Sequence, residues 1–123
     1  MTGCCFLMTR RALDAVGGFE ESFFAYNEDT DLSWRLLRAG FRLVYEPRAI
    51  LEHKVPIGAV EPSPFQILQR DRNRRRFVAL RLGRAERARF AAWFYPTRVV
   101  HLARYVARRD WARARAVWEG MSA

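Results

Sequence analysis

The stretch that decides the fold reads, from residue 26 to residue 35, Tyr26-Asn27-Glu28-Asp29-Thr30-Asp31-Leu32-Ser33-Trp34-Arg35. Asparagine is favoured at the start of a helix, and acidic side chains in the first turn interact favourably with the helix dipole. Leu32, Leu36 and Ala39 follow at the spacing of a single helix face, and Gly40 is typical of a helix end. The stretch therefore predicts a helix that begins at Asn27 and ends before Gly40.

Short apolar segments flank this helix. Residues 4–8 have the length of a buried strand, residues 41–45 alternate as a strand does, and residues 49–53 predict a second short extended piece. Residues 11–16 predict one or two helical turns, ended by Gly17-Gly18. This alternation of strands and helices predicts an α/β fold in the first part of the chain.

From Phe65 onward the pattern is helical. Residues 65–82 and 84–95 predict two helices, and Pro96 should start a new helix or kink the old one because proline lacks a backbone N–H. Two further segments repeat apolar side chains at helical spacing: Val99, Leu102, Ala103 and Val106, and then Trp111, Ala114, Trp118 and Met121. Since most arginines fall off these stripes, we predict two or three C-terminal amphipathic helices with basic polar faces.

Composition narrows the class of protein. The chain has 123 residues, of which 50% are hydrophobic, so it is long enough for one folded domain and is not of a disordered or collagen-like type. No apolar run reaches the roughly 18 residues of a membrane span, and no signal-peptide pattern is present, so a cytoplasmic protein is expected. Cys4 and Cys5 are adjacent, which speaks against a disulfide framework and against a cysteine metal site.

Charge divides the chain into two regions. Residues 1–61 carry seven basic and nine acidic side chains, whereas residues 62–123 carry fifteen basic and four acidic ones. The change falls in the proline-rich loop at residues 55–64. We therefore expect an α/β region at 1–61 and an arginine-rich helical region at 62–123.

Glu28, Asp29 and Asp31 place three carboxylates within four residues. Carboxylates in such a cluster serve as a general base or as ligands of a divalent cation. Acidic residues in a first helical turn also stabilise a helix without any further role. The pentapeptide alone leaves both interpretations open.

The order of several motifs adds a resemblance. Residues 3–11 are followed by Val16-Gly17-Gly18-Phe19-Glu20-Glu21-Ser22-Phe23-Phe24, by residues 26–35, by Ala39-Gly40-Phe41 and Tyr45-Glu46-Pro47, and by His53. Over about residues 3–80 this order resembles the acceptor-side half of family 2 glycosyltransferases, and Arg72-Asn73-Arg74 resembles an element of the rhamnosyltransferase-like members. The resemblance implies a partial GT-A-type mixed sheet and an inverting transfer from a nucleotide sugar to a glycan or lipid-linked hydroxyl.

The resemblance also implies roles for individual residues. Asp29 matches the catalytic base, and Glu28 would orient the acceptor or Asp29. Asp31 and Arg35, four residues apart on one helix face, are expected to pair, and their role is structural or functional. His53 matches a histidine that reaches the metal or the diphosphate, or else is a partly buried hydrogen-bonding side chain. Phe19, Phe23, Phe24, Tyr26 and Trp34 are core residues or stack on a sugar ring.

One part of the family pattern is missing. Members hold Mg²⁺ or Mn²⁺ with an Asp-x-Asp that follows an apolar strand in an N-terminal nucleotide-binding half, and this chain has no such segment. Asp29-Thr30-Asp31 spells the motif but opens a helix, so we do not assign it to the metal. We therefore expect a divalent cation for the enzyme, and we expect this chain to be a truncated product that is inactive alone.

The arginine-rich region leaves three interpretations open. Its basic faces are simply solvated, or lie on the anionic inner face of a membrane, or bind nucleic acid. No zinc-ligand pattern, helix-turn-helix signature or ribonucleoprotein motif accompanies the arginines. The sequence thus favours a fragment of a family 2 glycosyltransferase, and the alternative is a non-catalytic basic helical module that binds membrane or nucleic acid.

Overall fold

The computed structural model describes residues 3–52, 54 and 61–122. These residues form five helices in chain order: α1 (Arg10–Val16), α2 (Glu28–Arg38), α3 (Pro64–Arg81), α4 (Arg84–Ala107) and α5 (Trp111–Ser122). The chain divides into two compact units, Met1–Gly58 and Ala59–Ala123. Each unit has a hydrophobic cluster of its own.

The expected α/β fold class, with its partial GT-A-type mixed sheet, is wrong for the described residues, which contain helices and no strand. Residues 4–8 and 41–45 are not helical, but neither forms a ladder with another segment. The same holds for residues 49–52, while His53 lies outside the described residues. A strand needs a neighbouring strand to receive its backbone hydrogen bonds, so an extended pattern in the sequence does not suffice to make one.

The core of the first unit joins α1 to α2. Ala12, Leu32 and Leu36 are buried together, and the side chains that were expected on strands pack around them instead: Phe6, Met8 and Phe41. Thr9 begins α1, because its hydroxyl oxygen accepts a hydrogen bond from the backbone N–H of Ala12 at 3.2 Å. Gly17 ends α1 with φ at +74°, a conformation that suits glycine.

The start of α2 differs in one respect from the prediction. Asn27 occupies the expected cap position, but its backbone is left-handed (φ +71°) and its side chain makes no capping hydrogen bond. Tyr26 before it is also left-handed, with φ at +68°. Two consecutive non-glycine residues in this region store strain of about 1–3 kcal/mol each, and such strain is concentrated at functional loops.

The second unit starts with a complete capping box. Ser63 Oγ accepts from Gln66 N at 3.2 Å, Gln66 Oε1 accepts from Ser63 N at 2.9 Å, and Pro64 takes the first helical position. Pro96 was expected to start a new helix or to kink the old one, and of these the new start is wrong, since α4 runs from Arg84 to Ala107 through the proline. Near the proline, Thr97 Oγ1 donates to the carbonyl of Phe94 at 2.7 Å, which gives that carbonyl a further partner.

Helices α3 and α4 run antiparallel, since Asp71 pairs with Arg98 while Glu61, ahead of α3, pairs with Arg104. Helix α5 packs against both, and α3 and α4 touch each other only sparsely. The cluster at the centre consists of Ile67, Tyr105, Ala114, Ala116 and Val117. The unit is therefore a three-helix arrangement held together mainly by α5.

Candidate functional site

Asp29 lies in the first turn of α2 with its carboxylate fixed by three donors. Its Oδ1 accepts from the backbone N–H of Thr30 at 2.7 Å and from Thr30 Oγ1 at 3.3 Å. Its Oδ2 accepts from the backbone N–H of Gly3 at 2.9 Å. A carboxylate oxygen has two acceptor positions, so Oδ2 retains one that these contacts do not use. The side chain is thus oriented and still has room for one more hydrogen bond.

Glu28 lies next to the same point of the backbone. A Cβ built on Gly3 would lie 3.7 Å from Asp29 Oδ2 and 3.9 Å from Glu28 Oε1, so both carboxylates flank this glycine. The other oxygen, Glu28 Oε2, is buried and has no hydrogen-bond partner within the described part of the chain. A buried acceptor without a donor is costly, which marks this oxygen as a position where a donor from a bound molecule would be stabilising.

Asp31 and Arg35 form the ion pair that their spacing indicates. Arg35 Nε donates to Asp31 Oδ2 at 2.8 Å, and the Asp31 side chain is fully buried. The same guanidinium donates to the carbonyl of Val16 through Nη1 and to the carbonyl of Gly18 through Nη2, the latter at 2.6 Å. Arg35 therefore fastens the end of α1 and the Gly17-Gly18 turn to α2. These contacts connect parts of the first unit, whereas the contact from Gly3 is made to Asp29.

Asp29 does not line either of two pockets that the described residues form. One pocket lies in the second unit, and the other lies beside Val16, Trp34 and Arg35. Of the aromatic side chains that the sequence offered for stacking on a sugar, Phe23 is buried and Phe24 is exposed.

Within residues 3–52, 54 and 61–122, no three His, Cys, Asp or Glu side chains are placed to hold a metal ion. His53, the histidine expected near a metal or diphosphate, lies outside the described residues. The described residues do not fit a divalent cation.

The contacts that sequence reasoning missed are made by the backbone. The Gly3 N–H bonded to Asp29 and the carbonyls of Val16 and Gly18 bonded to Arg35 lie 17 to 26 residues from their partners. Every non-proline residue has the same N–H and C=O groups, so no side-chain pattern signals such contacts. The glycines at positions 3, 17 and 18 were the available hint, since glycine marks close approach of the backbone.

The comparisons with known proteins agree on one group. The family model described as glycosyl transferase family group 2 matches residues 1–123. The chain is 44% identical over 64 residues to an N-acetylglucosaminyl-diphospho-decaprenol L-rhamnosyltransferase of Mycobacterium tuberculosis (strain CDC 1551 / Oshkosh), a match that covers 51% of this chain and 21% of that relative. No solved structure gives a significant match.

Two further relatives are similar over shorter segments. A pre-mycofactocin glycosyltransferase of the same organism is 52% identical over 42 residues, covering 34% of this chain and 9% of that protein. The succinoglycan biosynthesis protein ExoA of Rhizobium meliloti (strain 1021) is 47% identical over 53 residues, covering 37% of this chain and 16% of that protein. The chain thus spans about a fifth or less of the length of each of these relatives.

Proposed function

The chain belongs to glycosyl transferase family group 2, and on that premise we propose that it forms the acceptor side of an enzyme that transfers a sugar from a nucleotide sugar to a hydroxyl group. Asp29 acts as the general base. The observation that carries this assignment is the arrangement of its carboxylate, which is held by Gly3 and Thr30 and keeps an acceptor position on Oδ2.

The reaction at Asp29 moves one proton and exchanges one bond. Oδ2 takes the proton of the acceptor hydroxyl while that oxygen attacks the anomeric carbon of the donor sugar. The bond from this carbon to the nucleotide breaks, and the nucleoside diphosphate leaves with the electron pair from the opposite face. The start of α2 is a favourable place for this carboxylate, because backbone N–H groups and the helix dipole are directed at it.

Glu28 positions the acceptor. Its Oε2 is a buried acceptor atom without a donor in the described residues, and its Oε1 lies beside Gly3, as does the Asp29 carboxylate. A second hydroxyl of a sugar acceptor would satisfy this oxygen and hold the reacting hydroxyl near Asp29. The strained backbone at Tyr26 and Asn27 supports this location, since it leads directly into the two carboxylates.

The donor and any divalent cation are bound by residues outside the described part of this chain. Support comes from the absence of a metal-holding group in the described residues and of a strand-borne Asp-x-Asp motif in the sequence. The sugar nucleotide therefore approaches Asp29 from a second structural element, which also completes the cleft. The name of the M. tuberculosis rhamnosyltransferase makes a lipid-diphosphate-linked sugar a suitable acceptor class to test. We place such a transfer in the biosynthesis of cell-envelope polysaccharides.

The test of this function is the variant Asp29→Asn, which keeps the size of the side chain and removes its capacity to accept the proton. General bases contribute about a hundredfold to ten-thousandfold to a rate. In a chimaera of this chain with the M. tuberculosis rhamnosyltransferase, we expect Asp29→Asn to lower the rate of sugar transfer by a factor in that range. Circular dichroism should show that the helices are intact. Undiminished transfer would contradict the assignment.

A second candidate function, attachment to an anionic membrane, is favoured by one surface of α4. From Trp93 to Ala107 a single face of this helix is exposed and carries apolar side chains only; we call it the α4 apolar face, and it consists of Trp93, Pro96, Val99, Val100, Ala103, Val106 and Ala107. Arg104 and Arg108 lie along one edge of it. No described helix is long and apolar enough to cross a membrane.

We propose that this face lies in the interface of an anionic membrane. The arginine excess of residues 62–123 complements the lipid charge, and each basic side chain near the surface contributes about 1 kcal/mol. Such a location suits an enzyme with a lipid-linked acceptor. Nucleic-acid binding is less well supported, because Arg75 is partly buried and donates to the carbonyl of Gly120 inside the second unit.

Vesicle flotation tests this attachment. With phosphatidylglycerol vesicles the chain should float, with phosphatidylcholine vesicles it should not, and Val100→Ser should weaken the binding. Trp118→Ser is the control, since Trp118 is equally accessible (60% exposed, against 65% for Val100) but lies on α5. Flotation that is unaffected by Val100→Ser would contradict binding through the α4 apolar face.

A further inference from the structure

A pocket of about 300 Å³ lies between α3 and α4 in the second unit, and neither proposal above uses it. Its volume is at the lower end of the range of small-molecule sites. Five basic side chains line it: Arg70, Arg74, Arg98, His101 and Arg104. Two carboxylates, Glu61 and Asp71, and the phenol of Tyr105 line it as well.

The packing of the helices explains why the pocket exists. Helix α5 packs closely against both α3 and α4, while α3 and α4 touch sparsely, so a groove remains between them. Arg70 and Arg74 are one turn apart on α3, and Arg98 and His101 are about one turn apart on α4. Side chains at these spacings lie on one face of a helix, so Arg70 and Arg74 of α3 and Arg98 of α4 direct positive charge into the same space.

Arg98 is the anchored member of this group. Its Nη1 donates to both carboxylate oxygens of Asp71, at 2.9 and 3.2 Å, and its guanidinium carbon lies 5.6 Å from the centre of the Phe94 ring. Its Nε is buried and finds no acceptor among the described residues. A guanidinium held in this way and still short of one acceptor is suited to an anion with several oxygens.

Arg74 keeps donors for a ligand as well. Its Nη1 lies 3.8 Å from Asp71 Oδ1, which is beyond hydrogen-bond distance, and its side chain is 40% exposed. It is therefore attracted to Asp71 without being saturated by it. Because Asp71 is buried and already paired with Arg98, its charge is largely compensated within the pocket.

Glu61 shows where arginine side chains of the pocket bind a negatively charged oxygen. A single oxygen, Oε1, receives hydrogen bonds from Arg104 Nη2 at 2.8 Å and from Arg108 Nη1 at 2.7 Å. Two guanidinium groups converging on one oxygen is the geometry in which arginines hold phosphate oxygens. Glu61 thus competes with an external anion for Arg104.

We propose that this pocket binds a phosphoryl anion, a phosphate or diphosphate group, between Arg74 of α3 and Arg98 of α4. Glu61 lowers the affinity by occupying Arg104. The anion belongs to a free phosphate compound or to a lipid headgroup, both of which present the same oxygens. The site lies wholly in the second unit and does not depend on the role of Asp29.

Calorimetric titration of the whole chain with inorganic pyrophosphate tests the site. Arg74→Gln removes one pair of donors and should weaken the affinity about tenfold, since hydrogen bonds to charged groups are among the stronger ones. Arg115→Gln is the matched control: it removes the same charge from a side chain that is 80% exposed, pairs with Glu119 and does not line the pocket. Equal weakening in both variants would show attraction to net charge only and overturn the proposal.

A second pair of variants tests the role of Glu61 in the opposite direction. Glu61→Gln should tighten pyrophosphate binding severalfold, because it removes a competing carboxylate from Arg104. Glu119→Gln changes the net charge equally and should leave the affinity as it is. Absence of pyrophosphate binding in the unaltered chain, or equal tightening in both variants, would also overturn the proposal.

The source of the anion is resolved by competition. Vesicles containing phosphatidic acid are compared with vesicles containing phosphatidylserine at equal surface charge. If the phosphoryl group of a lipid is the ligand, phosphatidic acid competes with pyrophosphate and phosphatidylserine does not. If the ligand is a free phosphate compound, neither kind of vesicle competes, while Arg74→Gln still weakens pyrophosphate binding. Competition by phosphatidic acid alone and competition by neither vesicle would each support the pocket.

Discussion

Arg35 and Asp31 are joined by a 2.8 Å ion pair in which the carboxylate is fully buried, and the same arginine donates to the carbonyls of Val16 and Gly18. One side chain therefore connects the two helices of the first unit and fixes the turn between them. Asp31 lies two residues beyond Asp29 in the same helix. The pair therefore sets the orientation of the helix end from which the proposed base acts.

Removing the arginine should loosen this unit. In Arg35→Gln the buried carboxylate of Asp31 loses this ion pair, and breaking a buried pair costs about 3–5 kcal/mol. We expect amide hydrogen exchange in α1 and α2 to accelerate by two or more orders of magnitude. Arg38→Gln is the control, because Arg38 is exposed and only lies over the Trp34 ring at 5.7 Å. Equal exchange rates in the two variants would contradict the connecting role.

The close approach of α5 to α3 predicts a second effect. Gly120 is buried, and a Cβ at this position would lie 2.9 Å from Asp71 Cβ, which is closer than such atoms approach. Gly120→Ala should therefore destabilise the second unit by about 1–3 kcal/mol, despite the better helix propensity of alanine. Gly18→Ala, where a Cβ meets nothing within 4 Å, should change the free energy of unfolding little. A rise in thermal stability of the Gly120 variant would show that the helices are not in contact there.

Replacing Pro96 should increase the stability of the second unit. It lies in the interior of α4, where it supplies no N–H and where proline costs about 3 kcal/mol relative to alanine in an ordinary helix. We expect Pro96→Ala to raise the free energy of unfolding of the second unit by about 1–3 kcal/mol in urea titrations. A loss of stability would mean that the ring makes packing contacts that outweigh the missing hydrogen bond.

His101 predicts a pH dependence. Partial burial, the positive charge of Arg98 and that of Arg104 lower the pKa of its imidazole from 6.5, while the carboxylate of Asp71 acts in the opposite direction. Because the folded state holds this proton less tightly than the unfolded chain, the contribution to stability is fully present above the unfolded pKa and is lost as the pH falls through the folded one.

The measurement compares unfolding free energies at neutral and mildly acidic pH. The unaltered chain should lose more stability on acidification than His101→Gln does, and His53 cancels in this comparison because both chains contain it. An identical loss in the two chains would mean that the imidazole titrates as it does in the unfolded chain.

The helices were largely predictable from the sequence, since their signals are local. The predicted helix at Asn27–Ala39 is observed as α2 (Glu28–Arg38). The four-residue spacing of Asp31 and Arg35 predicted their ion pair, which is also observed. Ser63 and Pro64 begin α3 within a residue or two of the predicted start at Phe65. In each case the deciding residues lie within one or two turns of each other.

The predictions that were wrong concern segments whose structure depends on residues distant in the sequence. Residues 41–45 alternate as a strand does, yet Phe41 packs against the helices and no partner strand in the described residues receives the backbone. A new helix at Pro96 was one of the two outcomes expected, but α4 continues through it. Phe94 and Tyr105 are buried on either side of the proline, and tertiary packing stabilises a helix more than local propensity does. The contact from Gly3 to Asp29 spans 26 residues and involves a backbone group, which no sequence pattern encodes.

The most direct test of the account is sugar transfer by a chimaera in which this chain replaces the matching segment of the M. tuberculosis rhamnosyltransferase, assayed with that enzyme's own substrates. Glu21→Gln, a nearby exposed carboxylate, serves as the charge-matched control. We predict that the chimaera and the control transfer the sugar, and that Asp29→Asn lowers the rate at least about a hundredfold with the fold intact. A folded chimaera without activity would contradict the assignment of this chain to the acceptor side, and one in which Asp29→Asn is as active as the control would contradict Asp29 as the base.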